Sequence, residues 1–237
     1  MSYNKSYAEY MDHMGSDLSV VNAARVSFDK ESEWLHSGNR NDYDGVVYQT
    51  IDGKPVNLSE ADTKLINYLA KHDHWTPFAH TAIQLRMGAP VPIRTQCFKH
   101  KQGLVENEES RRYISSRPVL FMPNEFRNAP TGGAKQGSSD KHKASGAWLT
   151  VYRDRCEAMI DLYEEMIADG VCPEQARFVL PQGCIVNWVW TGNLYAFANF
   201  YKKRTDPHAQ KEIRDLAEDV ATLVAPLFPV SWAALTA

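Results

Sequence analysis

The chain has 237 residues, enough for one large domain or two small ones at roughly 100 to 200 residues each, and 43% hydrophobic residues allow a sizeable core. A net charge of -3 argues against generic nucleic-acid binding, which calls for a basic balance, so no stable nucleic-acid partner is expected. No apolar run approaches the roughly 18 residues of a membrane-spanning helix, and the polar start MSYNKSYAEY is no signal peptide, so a cytoplasmic protein is expected.

Asp17 is placed to cap a short helix carrying Val20, Val21 and Ala24. Ser59, with Asp62 three residues on, resembles a capping box for a helix through Leu65, Ile66 and Leu69. From Thr81 to Met87, Ile83, Leu85 and Met87 alternate with Ala82, Gln84 and Arg86, the period of a strand. A Pro-bounded segment then leads to Lys99. Beyond Val119, Leu120 and Phe121, a stretch rich in Gly, Ser, Lys and Asn reads as a long loop, a family-specific insertion at 123–146.

Trp148, Val151, Tyr152, Cys156, Met159, Ile160, Tyr163 and Ile167 recur at helical spacing and predict the longest helix, with Gly170 as its stop. Pro173 can start the next, which carries Arg177 towards Pro181. A further helix is expected after Asn193, with Leu194, Phe197, Phe200 and Tyr201 on its apolar face. Asp206 with Pro207 marks the expected start of the last long helix, through Ile213, Leu216, Val220 and Leu223. With no repeat and no linker, one α+β domain spanning 1–237 is the economical reading. Cys97, Cys156, Cys172 and Cys184 form no C-x-x-C pair and read as reduced, buried thiols; no metal site is expected.

The most informative stretch is KHKQGLVENEESRRY, from Lys99 to Tyr113. Lys99, His100, Lys101, Arg111 and Arg112 surround Glu106, Glu108, Glu109 and Ser110, a mixture that suits a bound anion. A solvated charged loop would read the same way, so the neighbouring motifs decide. They are Asn22 to Phe28 (NAARVSF), His74 to His80 (HWTPFAH), Arg177 to Pro181 (RFVLP), Trp190 to Asn193 (WTGN) and Arg204 to Gln210 (RTDPHAQ).

Taken together these blocks resemble the flavin-dependent thymidylate synthases. In that family H-x-T-P-F-x-H precedes a signature of R-H-R, seven residues and S, followed by R-x-V-L-P, W-T-x-N and R-x-D-x-H-A-Q. Order and spacing agree from about Ala23 to Trp232 apart from a variable middle stretch. The departures are specific. Lys99 and Lys101 replace the two signature arginines, and eight residues separate Lys101 from Ser110. Lys keeps the charge but loses the planar fork. Tyr195 stands where the family often has an arginine near the flavin. The chain is thus expected to be a divergent member, with a viral source and a host cytoplasm left open.

The resemblance implies a central, mainly antiparallel sheet flanked by helices, FAD as cofactor, and NADPH and methylenetetrahydrofolate as co-substrates in converting dUMP to dTMP. It implies that Arg204 lies against the uracil carbonyl and N3, favouring the ionised base that attacks through C5. Gln96, Glu108, Ser110, Arg112 and Arg177 would bind the nucleotide with it. Ser27, His74, Thr76, Lys99, His100, Lys101, Asn193, Tyr195 and Asn199 would meet the flavin, and Glu108 would link the two sites. His80 and His208 read as structural; Trp188, Trp190 and Tyr195 could stack on a folate or flavin ring, but aromatics at these spacings are more often core. The resemblance also implies a homotetramer with active sites shared between subunits, in which an exposed apolar helix face is interface. Two other readings stay open: a related enzyme making another C5-modified pyrimidine nucleotide, and a catalytically silent nucleotide- or RNA-binding relative.

Overall fold

The alternating segment is a strand, β5 (Ala82–Pro90), and it organises the protein. Ile83, Leu85 and Met87 are fully buried on one face, as their period of two requires. The computed structural model describes residues 5–36, 49–51, 54–132 and 137–237. In it β5 lies between β1 (Tyr7–Met14) and β7 (Ile185–Gly192), and β7 also pairs with β6 (Leu104–Glu108). Each pairing in this order, β1-β5-β7-β6, is antiparallel. A smaller antiparallel sheet orders β2 (Leu35–His36), β4 (Lys54–Asn57) and β3 (Gln49–Ile51) as β2-β4-β3.

Helices supply the rest of the core. α1 (Asp17–Arg25) buries Val20 and Val21, and α2 (Glu60–Lys71) buries Ile66 and Leu69. The cap of α1 is Ser16 and not Asp17: Ser16 and Ser19 bond reciprocally, a capping box with serine at both ends. Asp17 is buried and accepts from the backbone N–H groups of Val230 and Ser231, each at 2.9 Å, so it caps α8 (Pro229–Thr236) from across the molecule. Ser59 caps α2, but the Asp62 carboxylate does not take the Ser59 backbone N–H as a full capping box would. It takes the Ser59 and Ser32 hydroxyls and a two-nitrogen fork from Arg25 instead.

Two helices frame the charged stretch. α3 (Val91–Cys97) immediately precedes it, and α6 (Leu194–Arg204) is capped by Asn193, whose side chain accepts from the Ala196 N–H. Leu194, Phe197 and Phe200 are buried as expected. α5 (Pro173–Ala176) starts at its proline. α7 (Lys211–Val224) begins later than the sequence suggests, at Gln210, because Asp206 spends its carboxylate on the backbone and ring nitrogens of His208 in a tight turn.

Between β6 and α4 (Ser145–Ala168) the described residues form no named helix or strand, only the isolated bridges Leu120↔Cys184 and Arg127↔Lys141. Residues 133–136 of the expected insertion lie outside the described residues. α4 is the longest helix at 24 residues, and Gly170 beyond its end has a φ of 91°, a left-handed stop. Its stripe divides: Ile160 and Tyr163 are fully buried, whereas Trp148, Val151 and Met159 are exposed. Among the described residues no helix is long and apolar enough to cross a membrane.

Candidate active site

The turn after α3 and one side of α6 along its length converge on a cleft of about 500 Å³ lined by Lys99, His100, Lys101, Tyr195, Asn199 and Arg204, among others. Lys203 adds a further cation to its wall. The turn that brings the KHK segment back under α6 ends at Gly103, with φ +73°; a Cβ there would stand 2.7 Å from Asn193 Nδ2. Only glycine fits that turn without moving the Asn193 side chain that caps α6.

Arg204 is held on two sides. Its Nε donates to His100 Nε2 at 2.8 Å and one terminal nitrogen donates to the Gln96 carbonyl at 3.0 Å. A histidine nitrogen that accepts from a guanidinium carries no proton, and the surroundings agree. Burial, then the charges of Arg204 and Lys203, push His100 down to about 4. Its ring also meets Phe200 edge-on at 5.1 Å. The arginine is thus fixed by a neutral imidazole and a carbonyl, and its positive charge has no carboxylate partner in either bond.

The other expected residues fall into three places. Lys101 forms an ion pair with Glu106 and lies over the Phe98 ring, so part of its charge is engaged within the chain. Glu108 pairs with Arg94 of α3 at 2.8 Å; burial raises the Glu108 carboxyl above its ordinary range, Arg94 opposes this and Glu109 and Glu106 reinforce it. Arg112 reaches Glu174 at 2.5 Å, and its backbone N–H bonds to Ser110 Oγ, which draws this arm towards α5 and the Arg177 that follows it. Arg112 and Arg177 are both exposed.

His74 and Thr76 are exposed on the segment that precedes β5. Tyr195 ties that segment to α6, its hydroxyl donating to Asp73 at 2.8 Å and its ring 6.1 Å from Trp75. Ser27 lies on the exposed turn Val26–Phe28 after α1, and no bond joins it to the cleft among the described residues. Trp188 and Trp190 are buried in β7 and pack against Phe98, Phe197 and Phe200, so they are core. His80 is exposed, and His208 pairs with Asp206 in the turn after α6. Sequence reading missed Arg94, Lys203 and Asp73, whose roles come from partners distant in the chain.

Against the expectation of four buried thiols, Cys172 is exposed and Cys156 half-buried, while Cys97 and Cys184 are buried and are poor nucleophiles. Burial pushes the Cys97 thiol up to about 12, against the opposing pull of Arg204, and the Cys184 thiol up to about 11. Both stay protonated at neutral pH, and the thiolate is the reactive form.

Comparison with known proteins gives the chain its relatives. Residues 9–230 match the family described as thymidylate synthase complementing protein. The flavin-dependent thymidylate synthase of Thermosipho africanus is 30% identical over 232 residues, covering 98% of this chain and 91% of the relative. That of Thermus thermophilus is 29% identical over 236 residues, covering 98% and 76%. The crystal structure of the UMP/dUMP methylase PolB from Streptomyces cacaoi, bound with 5-Br dUMP, superposes with a TM-score of 0.77 at 26% identity over 98% of this chain and 95% of that one. A cleft built from the signature stretch and the C-terminal arginine, on this α+β fold, together with these matches, means that the chain belongs to the thymidylate synthase complementing protein family, the family of the flavin-dependent thymidylate synthases.

Proposed function

We propose that this enzyme methylates dUMP reductively to dTMP, with methylenetetrahydrofolate as carbon donor and NADPH as reductant through FAD. The observation that carries the reading is Arg204, pinned by His100 and Gln96 at the edge of a cleft walled by Lys99, Lys101 and Lys203. Those lysines suit the phosphates of a flavin dinucleotide, Tyr195 and Asn199 offer a hydroxyl and an amide beside them, and Asn193 would contribute from the α6 cap. The residues present therefore fit the cofactor, and Ser27, His74 and Thr76 would complete its site. Bound flavin would supply the reducing equivalents.

The protein's own part is to bind, orient and stabilise charge. Arg112, Arg177 and Ser110 would hold the nucleotide phosphate, with Glu174 loosening its pairing to Arg112 as the phosphate arrives. The guanidinium of Arg204 faces the pyrimidine carbonyls and stabilises the negative charge that spreads over the ring as C5 attacks. A neutral His100 leaves that charge undiluted, because it orients the arginine without competing as an anion. Cys97 takes no covalent role, since its thiol stays protonated. Exposed Phe28, Trp75, Tyr113 and Phe178 stand on the same segments as the expected site residues, which supports a homotetramer whose active sites draw on neighbouring subunits. The enzyme would work in the cytoplasm.

One observation favours a second substrate: the structural relative PolB is described as acting on both UMP and dUMP. UMP is therefore tested beside dUMP. The purified protein should be yellow, with a flavin spectrum that changes when dUMP is added. A colourless protein that binds dUMP and takes up no added FAD would overturn the reading in favour of a silent nucleotide-binding relative.

A further inference from the structure

Three cations close α6, Lys202, Lys203 and Arg204, and any of them would serve the negative end of the helix dipole. Of the three, Lys203 and Arg204 line the cleft and Lys202 does not. Arg204 is tied to His100 and Gln96, whereas no carboxylate pairs with Lys203 among the described residues. Lys101, also on the wall, is already engaged by Glu106. The charge of Lys203 is felt inside the cleft: after burial and the charge of Arg204, it is what depresses His100.

Lys203 ends a stripe. Tyr195, Asn199 and Lys203 recur at every fourth residue of α6, so they share one face, and all three line the cleft. Eight residues of helix run about 12 Å, room for a tricyclic ring laid along that face. The stripe presents an aromatic ring, an amide and an ammonium in that order. An amide both donates and accepts, so it suits the carbonyl and N–H edge of a flavin better than a phosphate, which accepts only. The other end of the stripe is the acidic one, where Asp73 takes the Tyr195 hydroxyl. The proposed chemistry adds a constraint of position. Reacting atoms must approach to about 3 to 3.5 Å, so the ring that delivers the electrons lies where Arg204 meets the pyrimidine. Lys203 is the neighbour of Arg204 at that end.

We propose that Lys203 tunes the cofactor: its ammonium stands beside the flavin ring and stabilises the negative charge that the ring carries after reduction by NADPH, leaving Lys99 and Lys101 for the phosphates. A hydride brings two electrons and one proton and releases NADP+, so a neutral oxidised ring becomes an anion. A fixed cation nearby favours the anion and raises the reduction potential. The inference rests on the flavin- and nucleotide-binding role proposed above for this cleft.

The test is the two-electron reduction potential of the full-length, FAD-loaded protein, measured against a reference dye during slow reduction, with the affinity for oxidised FAD taken by fluorescence on the same variants. Lys203 is exposed, so its substitution leaves the core intact. Lys203→Met should lower the potential by about 30 mV, equivalent to roughly a tenfold loss of preference for reduced over oxidised flavin. Its affinity for oxidised FAD should stay within about twofold. Lys203→Arg keeps the charge and should keep the wild-type potential. Lys202→Met removes the neighbouring helix-end charge outside the cleft and should leave the potential unchanged. A wild-type potential in Lys203→Met overturns the proposal, and so does an equal fall in Lys202→Met, which would reflect a general loss of charge at the helix end. Weaker binding of oxidised FAD by Lys203→Met at an unchanged potential would put the ammonium on the phosphates and overturn it too. Wild type that takes up no FAD would overturn the proposed function as well, whereas a yellow wild type whose potential ignores position 203 overturns this inference alone.

Discussion

Arg204 donates through Nε to His100 Nε2 at 2.8 Å, joining the C-terminal motif to the centre of the signature stretch, 104 positions away in the chain. The bond requires a neutral imidazole, and burial with the Arg204 and Lys203 charges keeps it so down to about pH 4. The sign of the pH effect follows. The unfolded chain binds a proton on this residue below about 6.5, the folded chain only near 4, so the stability His100 contributes is present above pH 6.5 and is lost as pH falls towards 4. Thermal melts from pH 7.5 to 4 should decline more steeply for wild type than for His100→Gln, which keeps an acceptor but does not titrate. Parallel declines would mean that His100 is not the buried neutral group described here.

Removing the guanidinium should separate chemistry from cofactor binding. Arg204→Ala is expected to lower kcat by about a hundredfold or more, the scale for losing one preorganised charge-stabilising donor, while flavin stays bound. Turnover and the flavin spectrum measured on the same sample check this. Survival of near-parent turnover would remove Arg204 from the reaction.

Lys101→Arg restores the family residue at a signature position. A guanidinium can bond Glu106 and still present a free edge, so flavin binding should tighten several-fold, within the few tenths to about 1 kcal/mol of one exposed charged contact. A fluorescence titration with FAD decides it. Weaker or unchanged binding would mean that the lengthened segment has moved position 101 away from the cofactor.

Asp17→Ala should cost about 1 to 2 kcal/mol in urea unfolding, because it strips acceptors from two buried backbone N–H groups at the start of α8. Asp17→Asn keeps one acceptor oxygen and should cost less. Equal costs would show that the carboxylate's bonds to Val230 and Ser231 contribute little.

Gly103→Ala tests the turn beneath α6. A side chain at φ +73° with its Cβ 2.7 Å from Asn193 should cost about 1 to 2 kcal/mol and weaken flavin binding together, since Asn193 caps α6. Loss of stability with unaltered flavin affinity would separate the turn from the cofactor site.

The sequence disclosed elements whose pattern is local. β5 was legible because one face is core and the other is not, and α6 because Asn193 precedes an apolar stripe. β7 was not read as a strand: it lies between two strands, and its tryptophans read first as motif and stacking candidates. β1 hid for the opposite reason, as an edge strand with little burial in YAEYMDHM. Asp17 and Asp206 both mimicked helix caps, and tertiary contacts claimed each for other work, Asp17 at α8 and Asp206 at His208. For the site, the resemblance named Lys99, His100, Lys101, Tyr195, Asn199 and Arg204 of the cleft but not Lys203, and the bonds Arg204 to His100, Glu108 to Arg94 and Arg112 to Glu174 join segments that only folding brings together.

The most direct test of the central claim is the mass of the nucleotide formed from dUMP with methylenetetrahydrofolate, NADPH and added FAD. A product heavier by one methylene unit, absent when FAD is left out, is the expected result. A hydroxymethyl product, or none from a flavin-loaded protein that binds dUMP, would contradict it.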